Sequence, residues 1–145
     1  DKLGGLIGHN TGKIYNCYSN VNIVAKGNPI NILGGFIGYN ELLSDKDALV
    51  SKCFAMGSVT VEQVPVNYGY FAGKNTGDIA TGIYSDGLTI KLSAGETLTD
   101  LVEPTCTNGE AKAESEILSV DFIENTLYFD RTIWLLEEGK LPTLR

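Results

Sequence analysis

The sequence predicts an all-β fold, a parallel β-solenoid, which we expect to be a right-handed β-helix of about three coils with a C-terminal capping segment containing short helix. Similar seven-residue phrases begin at residues 4, 34 and 69, which lie 30 and 35 residues apart. Short β-prone segments follow each phrase in the same order, separated by clusters of Gly, Asn, Pro and Asp. Right-handedness is expected because parallel crossover connections almost always have that hand.

The repeated phrases share their glycine, apolar and asparagine positions. They read GGLIGHN, GGFIGYN and GYFAGKN, and the first and third continue with TGKI and TGDI. The triplets CYS, CFA and IYS then correspond, beginning at residues 17, 53 and 83. The second repeat has six additional residues at 42–47, two leucines followed by four polar, turn-prone residues, which predict a protruding loop. The repeats therefore cover about 3–32, 33–67 and 68–95, within one solenoid unit at 1–95.

The third repeat departs from the other two, which indicates an atypical terminal coil. Tyr70 replaces the second glycine, and Ala72 replaces the aliphatic residue. Aligning Ile83 with Cys53 requires one additional residue, and we expect a bulge at Gly82 to absorb it.

Each predicted strand is expected to pair with its own copy in the next coil. In order, the strands lie at about 3–9, 14–19, 21–25, 33–39, 50–55, 58–64, 68–73, 79–84 and 88–92. Alternation places Leu6, Phe36 and Phe71 in one interior column, with neighbours about 4.8 Å apart. Ile7 and Ile37 then lie on the opposite face, so we expect the insertion or the C-terminal segment to cover that face partly.

Residues 96–145 are expected to cap the last coil as part of the same domain, because an uncovered strand edge invites aggregation. The apolar spacing at 115–125 predicts one or two short helices. The densest apolar stretch of the chain follows at 127–136, and we expect its Trp134 to plug the last core layer.

Residues 3–90 resemble GLUG-motif repeats, because GGLIG-x-N is followed by T-G-x-I and then by C-Y-S. The ending at 134–144 is similar to the closing phrase that follows such arrays. The resemblance implies a non-catalytic module of a bacterial cell-surface or secreted protein, acting as an adhesin-like binding surface or a structural stalk. Such repeats also occur in the non-catalytic parts of immunoglobulin A peptidases. The implied location is extracellular or at the cell surface, within a longer precursor, and the family pattern supplies no catalytic group.

Composition narrows the classes of partner. The chain has 145 residues, of which 43% are hydrophobic and 20% charged, so it can bury a core and is not disordered. Its net charge of -7 opposes nucleic acids and anionic membranes. No apolar run approaches the roughly 20 residues needed to span a bilayer. Nucleic acid and membrane insertion are therefore not expected, and a monomer is favoured. The GLUG resemblance implies that any partner is a host protein or a glycan.

Two polar or aromatic columns allow both a structural and a functional interpretation. Asn10, Asn40 and Asn75 are expected to form an asparagine ladder at a coil corner, and the alternative is a row of amides that binds sugar hydroxyls. A second column contains Tyr18, Phe54 and Tyr84, for which packing is favoured over an exposed strip that stacks against a glycan.

Three tyrosines are candidates for ligand contact, and two of them belong to the aromatic column. These residues are Tyr18, Tyr84 and Tyr39.

Cys17 and Cys53 occupy equivalent positions in adjacent coils. A Cα spacing near 4.8 Å would allow a disulfide. In-register side chains point the same way, however, which favours two buried free thiols. Cys106 has no obvious partner, and the lack of C-x-x-C spacing argues against zinc.

No catalytic, cofactor-binding or metal-binding residue is predicted. His9 is the only histidine, and it corresponds to Tyr39 and Lys74, so the repeat does not require an imidazole there. The alternative function is a β-helix enzyme or carbohydrate-binding domain that acts on polysaccharide, which would need paired carboxylates or basic residues along one face. The copies do not align such residues: Lys13 corresponds to Asp78.

Overall fold

A computed structural model describes residues 1–99 and 109–145, and in these ranges the strands recur in three coils. The first coil contains β1 (Lys2–Gly4), β2 (Ile7–Asn10), β3 (Lys13–Tyr15) and β4 (Tyr18–Ala25). The second contains β5 (Ile32–Gly34), β6 (Ile37–Asn40), β7 (Leu49–Ser51) and β8 (Cys53–Val61). The third contains β9 (Asn67–Gly69), β10 (Ala72–Asn75), β11 (Asp78–Ile79), β12 (Gly82–Ser85) and β13 (Thr89–Leu92).

Every coil strand pairs in parallel with its counterpart in the neighbouring coil. The resulting stacks are β1–β5–β9, β2–β6–β10, β3–β7–β11 and β4–β8–β12, and β13 pairs with the second half of β8. The registers join Gly4 to Gly34 to Gly69, and Asn10 to Asn40 to Asn75. The predicted parallel β-solenoid of about three coils is therefore confirmed.

A corner within each repeated phrase divides the first predicted strand in two. In the second coil, β5 ends at Gly34 and β6 begins at Ile37, so the alternation of faces restarts between them. As a result Leu33, Phe36 and Ile37 are all fully buried in the same core cluster. The expectation that Ile37 lies on an opposite face that needs separate cover is wrong, because the corner turns it inward.

The predicted apolar column is present. The rings of Phe36 and Phe71 stack with centroids 4.8 Å apart and are fully buried. Leu6 joins the column through a 2.8 Å hydrogen bond from its backbone N–H to the carbonyl of Phe36. Its side chain is nevertheless 42% exposed, because β1 and β2 each have a partner strand on one side only among the described residues.

The second glycine of the repeated phrase is required by the approach of the next coil. A Cβ at Gly5 would lie 2.1 Å from the carbonyl oxygen of Gly35, and one at Gly35 would lie 2.2 Å from that of Tyr70. In the third coil Tyr70 occupies this position, and among the described strands β9 pairs only with β5. The Tyr70 ring stacks on Tyr84 at 5.0 Å, and its hydroxyl donates to the carbonyl of Leu98. The third coil can therefore carry a side chain at this position, because no described strand stacks beyond β9. This agrees with the atypical terminal coil expected from the sequence.

The predicted asparagine ladder is also present. Asn10 Nδ2 donates to Asn40 Oδ1, and Asn40 Nδ2 donates to Asn75 Oδ1, each over 2.8 Å. Asn40 Nδ2 also contacts the carbonyl of Ala48 at 3.2 Å, which ties the ladder to the backbone after the insertion. Asn40 is fully buried and Asn10 is nearly so. The structural interpretation of this column is therefore correct.

The register of the third coil differs from the expected one. Gly82 pairs with Cys53, Ile83 with Phe54, and Tyr84 with Ala55. The predicted column of Tyr18, Phe54 and Tyr84 is therefore wrong, because no bulge shifts the third copy and Ile83 takes the third place. Tyr84 consequently points toward the main core, where it packs on Tyr70.

The described part of the C-terminal segment contains short elements that extend and flank the solenoid. These are β14 (Glu110–Lys112), α1 (Glu114–Ile117), a π-helical turn (Phe122–Thr126), β15 (Trp134–Leu135) and β16 (Thr143–Leu144). Strand β14 pairs in parallel with β12, whereas β15 and β16 form an antiparallel pair. The predicted short helix is therefore present.

A second apolar cluster fixes this segment against the outer face of the β4–β8–β12 sheet. Phe54 and Ile83 project outward and pack with Ile123 and Phe129. The ring of Trp134 lies 5.1 Å from that of Phe129 and 6.1 Å from that of Tyr18 in the first coil. The expectation that Trp134 plugs the last core layer is therefore wrong, since it packs on the side of the stack.

We expect the substitution Gly35→Ala to destabilise the fold by about 1–3 kcal/mol or more, because the new methyl group would overlap the Tyr70 carbonyl. Urea unfolding followed by circular dichroism measures this. Gly12→Ala is the matched control: the nearest atom to its Cβ would be Asn10 Oδ1 at 3.8 Å, so a change within about 0.5 kcal/mol is expected. Equal effects of the two substitutions would contradict the close approach of coils.

We expect Asn40→Ala to lower the free energy of unfolding by about 2–4 kcal/mol, because it leaves buried partners of the ladder unsatisfied. Asn20→Ala changes an exposed asparagine of β4 and should have an effect below about 0.5 kcal/mol. Chemical denaturation of both variants makes the comparison. A tolerated Asn40→Ala would show that the ladder contributes little.

Candidate functional site

The three tyrosines predicted to contact a ligand lie in three separate environments. Tyr39 is on the outward face of the β2–β6–β10 sheet, half-buried among charged side chains. Tyr18 lies between the solenoid and the C-terminal segment, where its hydroxyl donates to the carbonyl of Pro142 over 2.7 Å. Tyr84 packs on Tyr70 at the core, and burial followed by the proximity of Tyr70 raises the pKa of its hydroxyl. Tyr39 alone of the three belongs to a polar surface.

We use the name tyrosine face for Lys2, His9, Tyr39, Glu41 and Lys74. The strand register places His9, Tyr39 and Lys74 directly above one another on β2, β6 and β10. The rings of His9 and Tyr39 are nearly parallel, with centroids 5.5 Å apart. The ammonium groups of Lys2 and Lys74 lie 5.0 and 5.2 Å from the Tyr39 ring centroid, within the range of cation–π attraction.

One carboxylate organises half of the tyrosine face. Glu41 Oε2 lies 2.6 Å from His9 Nε2 and 4.0 Å from Lys2 Nζ. Lys2 Nζ also lies 3.3 Å from His9 Nδ1, and an ammonium group can only donate. His9 Nδ1 is therefore the acceptor, and Nε2–H donates to Glu41. This network holds the imidazole in a fixed orientation against the Tyr39 ring.

The other half of the tyrosine face keeps an uncompensated positive charge. Within the described ranges, no carboxylate lies within 4.0 Å of Lys74 Nζ. Thr76, two residues after Lys74, is exposed. Its Oγ1 lies 3.5 Å from the hydroxyl oxygen of Tyr39. A cation, a phenol and a hydroxyl are therefore presented together, and all three can bond to an oxygen-rich partner.

A groove continues from this face around the asparagine corner, beside the insertion. We call it the insertion groove; its volume is about 380 Å³, and Lys13, Asp47, Thr76 and Asp78 line it. Lys13 Nζ lies 3.3 Å from Asp47 Oδ2. The insertion is fixed at its start because the backbone N–H of Leu42 donates to Thr76 Oγ1 over 3.1 Å. Thr76 thus belongs to both surfaces and joins them.

An apolar cavity of about 520 Å³ lies at the edge of the first coil. Leu6, Cys17 and Tyr18 line one side of it, and Trp134 and Leu144 line the other. The Tyr18 ring stacks on Phe54 at 5.0 Å, so one ring face is occupied by a neighbour in the next coil. The cavity has little polar lining, and its most reactive group is the Cys17 thiol.

Cys17 and Cys53 are free thiols in the structure, as favoured from the sequence; Cys106 lies outside the described residues. Cys53 is fully buried, whereas Cys17 is only partly so. The hydrogen bond between the two thiols lowers the pKa of Cys17 to about 7, against the opposing effect of burial. The same contact, together with burial, raises the pKa of Cys53. Cys17 is therefore the member of the pair that ionises first.

The described ranges contain no cluster of three or more His, Cys, Asp or Glu side chains able to hold a metal ion. Likewise, the helices found there are too short and too polar to cross a membrane.

The sequence marks Tyr39 as a candidate ligand contact but does not indicate the residues that surround it in the structure. The missing members are Lys2, Glu41, Lys74 and Thr76. The one indication in the sequence lies next to the asparagine column. There His9, Tyr39 and Lys74 differ between copies, while the glycine and asparagine on either side repeat. Variation within a stacked column indicated a surface position, but the contacts of Glu41 depend on how the chain leaves the corner at Asn40.

Comparisons with known proteins agree with the fold and with the repeated motif. Residues 3–24 match the family described as "The GLUG motif". A crystal structure described as that of "a putative immunoglobulin A1 protease from Bacteroides ovatus" is similar with a TM-score of 0.70 and 19% sequence identity. The similarity covers 98% of this chain and 41% of that chain. No curated protein matches the sequence. The expected resemblance to GLUG-motif proteins is therefore confirmed: the chain is a parallel β-solenoid whose first coil carries a GLUG motif.

Proposed function

We propose that this chain is a non-catalytic module of a bacterial cell-surface or secreted protein, and that it binds a host glycan through the tyrosine face. The GLUG motif and the fold of the Bacteroides ovatus protein support a bacterial surface or secreted context. Because the chain corresponds to 41% of that protein, the proposal concerns one module of a longer polypeptide. The adhesin-like role and the location outside the cell belong to the same proposal.

The observation that carries this proposal is the uncompensated Lys74 beside the Tyr39 and Thr76 hydroxyls. Stacking within the column covers the faces of the Tyr39 ring, with His9 on one side and Lys74 near it. A sugar ring therefore cannot lie flat on Tyr39, and contact is limited to polar tips and the ring edge. Those groups fit a glycan that carries a carboxylate or sulfate, whose charge Lys74 can neutralise.

Rigidity supports a binding role. Tyr39 lies on the central strand of a three-stranded stack, directly before the buried Asn40 of the ladder. The Glu41 carboxylate holds His9 and Lys2 in place. Little side-chain entropy is then lost when a partner binds, which favours affinity at a small contact surface.

The non-catalytic part of the proposal rests on the exposure of the candidate acids. A general acid that works near neutral pH is normally held in a dehydrated site. The side chain of Asp47 is 78% exposed and pairs with Lys13, and Asp78 is exposed as well. His9 is engaged by Glu41 on the surface, with no nucleophile among the contacts described for it. Neither groove carboxylate therefore lies in a dehydrated site.

The insertion groove favours a second candidate function, a domain that acts on polysaccharide. Asp47 and Asp78 line the same groove, and Lys13 of the first coil pairs with Asp47 there. A pair of carboxylates across an elongated cleft is the arrangement that glycoside hydrolysis uses. This candidate requires both acids, whereas glycan binding at the tyrosine face requires neither.

We expect the purified chain to bind acidic glycans on a glycan array, and Lys74→Ala to weaken that binding about tenfold through loss of one charge-assisted hydrogen bond. Lys91→Ala is the matched control, because Lys91 is an exposed lysine of β13 away from the tyrosine face. Binding should also weaken as salt rises, because the contact is electrostatic and exposed.

As controls, the array includes neutral glycans that have the same sugar backbones as the acidic ones. Binding to a panel of deglycosylated host proteins is measured in parallel. Binding to acidic glycans that depends on Lys74 supports the proposal. Equal binding to neutral glycans, binding to the stripped proteins alone, or no binding at millimolar glycan would contradict it. An equal effect of the two lysine substitutions would contradict the assignment to the tyrosine face.

The second candidate has a separate test. If the groove cleaves polysaccharide, reducing ends accumulate when acidic polysaccharides are incubated with the chain, and Asp47→Asn and Asp78→Asn each abolish this. Our proposal instead expects no new reducing ends with the unmodified chain, and unchanged glycan binding in both variants. Cleavage that either substitution removes would replace the non-catalytic assignment.

A further inference from the structure

We propose that Cys17 and Cys53 form a dithiol site that reacts with small disulfide compounds and closes to an intramolecular disulfide joining the first two coils. The strand register places Cys17 beside Cys53, because Tyr18 pairs with Phe54 and the N–H of Phe54 donates to the carbonyl of Cys17 over 3.1 Å. In-register residues of adjacent strands lie about 4.8 Å apart, and disulfides span Cα separations of about 4.4–6.8 Å. The backbone of the reduced protein therefore already has the spacing that a bridge requires.

Access to the pair runs through one thiol only. Cys17 lines the apolar cavity at the edge of the first coil, beside Leu6 and Tyr18. Cys53 is fully buried behind it. A reagent therefore meets Cys17 first, and Cys53 is placed to attack whatever bond Cys17 has formed. The hydrogen bond between the thiols also makes Cys17 the easier of the two to ionise, and the thiolate is the nucleophile in exchange reactions.

The reaction proceeds in two exchange steps. The Cys17 thiolate attacks one sulfur of the disulfide compound, which forms a mixed disulfide and breaks the compound's own sulfur–sulfur bond. The first small thiol leaves as a thiolate and takes up a proton. The Cys53 sulfur then attacks Cys17 Sγ, loses its proton to the departing sulfur, and expels the second small thiol. Two protein thiols are oxidised to one disulfide, and one small disulfide is reduced to two thiols.

The bridge would join the first coil to the second. The first coil is bonded to the rest of the solenoid through strands that have a partner on one side only among the described residues. A Cys17–Cys53 bond adds a covalent link across that boundary. Because it closes a loop of 36 residues, counted from 17 to 53, the oxidised protein should melt about 5–10 °C higher than the reduced protein.

Oxidised glutathione is the probe, and tryptic peptides report the outcome on the full chain. Trypsin cleaves after lysine, so the three cysteines lie on three different peptides. These are 14–26, 53–74 and 92–112. After oxidation and blocking of residual thiols, mass spectrometry should find 14–26 linked to 53–74, two hydrogens below the summed mass. The absence of that linked pair, or linkage through 92–112 instead, would overturn the proposal.

Two variants test the order of events. Cys53→Ser should accumulate glutathione on Cys17, because no second thiol is present to displace it, whereas the unmodified chain should not. Cys17→Ser should leave Cys53 unreacted in the folded protein and reactive after denaturation. Rapid modification of Cys53 in folded Cys17→Ser would overturn the assigned order. The unmodified chain tests the bridge itself even if a variant fails to fold.

Discussion

In-register stacking of like upon like is the constraint on which the rest of this structure depends. The corner glycines permit it, since a Cβ at Gly35 would overlap the carbonyl of Tyr70 in the coil beyond. The ladder through Asn40 then fixes the register, because a shift of one residue would leave a buried amide without its partners. The stacked rings of Phe36 and Phe71 supply apolar burial in the same register.

The same stacking decides what the surface can do. Equivalent side chains on the outward faces also lie over one another, so an aromatic ring such as Tyr39 has its faces taken by His9 and the Lys74 ammonium. Ring edges, hydroxyls and charges remain available to a partner. The proposed glycan binding therefore relies on the polar tips of such a row. In the row of Tyr39, Lys74 supplies a charge that has no carboxylate within 4.0 Å in the described ranges. In the first coil, whose strands have one partner each among the described residues, Leu6 is partly exposed and Cys17 lines a cavity.

The repeated phrase was sufficient to predict the parallel stack, the Phe36 and Phe71 column and the asparagine ladder, because each depends on the repeat period alone. The corner after Gly34 was not predictable from alternation, since a bend resets the faces without changing the residue types. Alignment of Tyr84 with the aromatic residues of the other coils predicts a bulge at Gly82, whereas the structure keeps the shorter, ungapped spacing and places Ile83 beside Phe54. The arrangement of the candidate site could not be predicted from the sequence, because Glu41 contacts His9 in another coil and no local sequence pattern encodes that contact.

Nuclear Overhauser measurements on the labelled chain in solution test the central claim most directly. The account predicts cross-peaks between the rings of Phe36 and Phe71, whose centroids lie 4.8 Å apart, and between the side-chain amides of Asn10, Asn40 and Asn75. These contacts join residues at least 30 positions apart in the sequence, so only stacked coils produce both sets together. Cross-peaks that instead join adjacent strands of one coil as antiparallel hairpins, without the Phe36 to Phe71 contact, would contradict it.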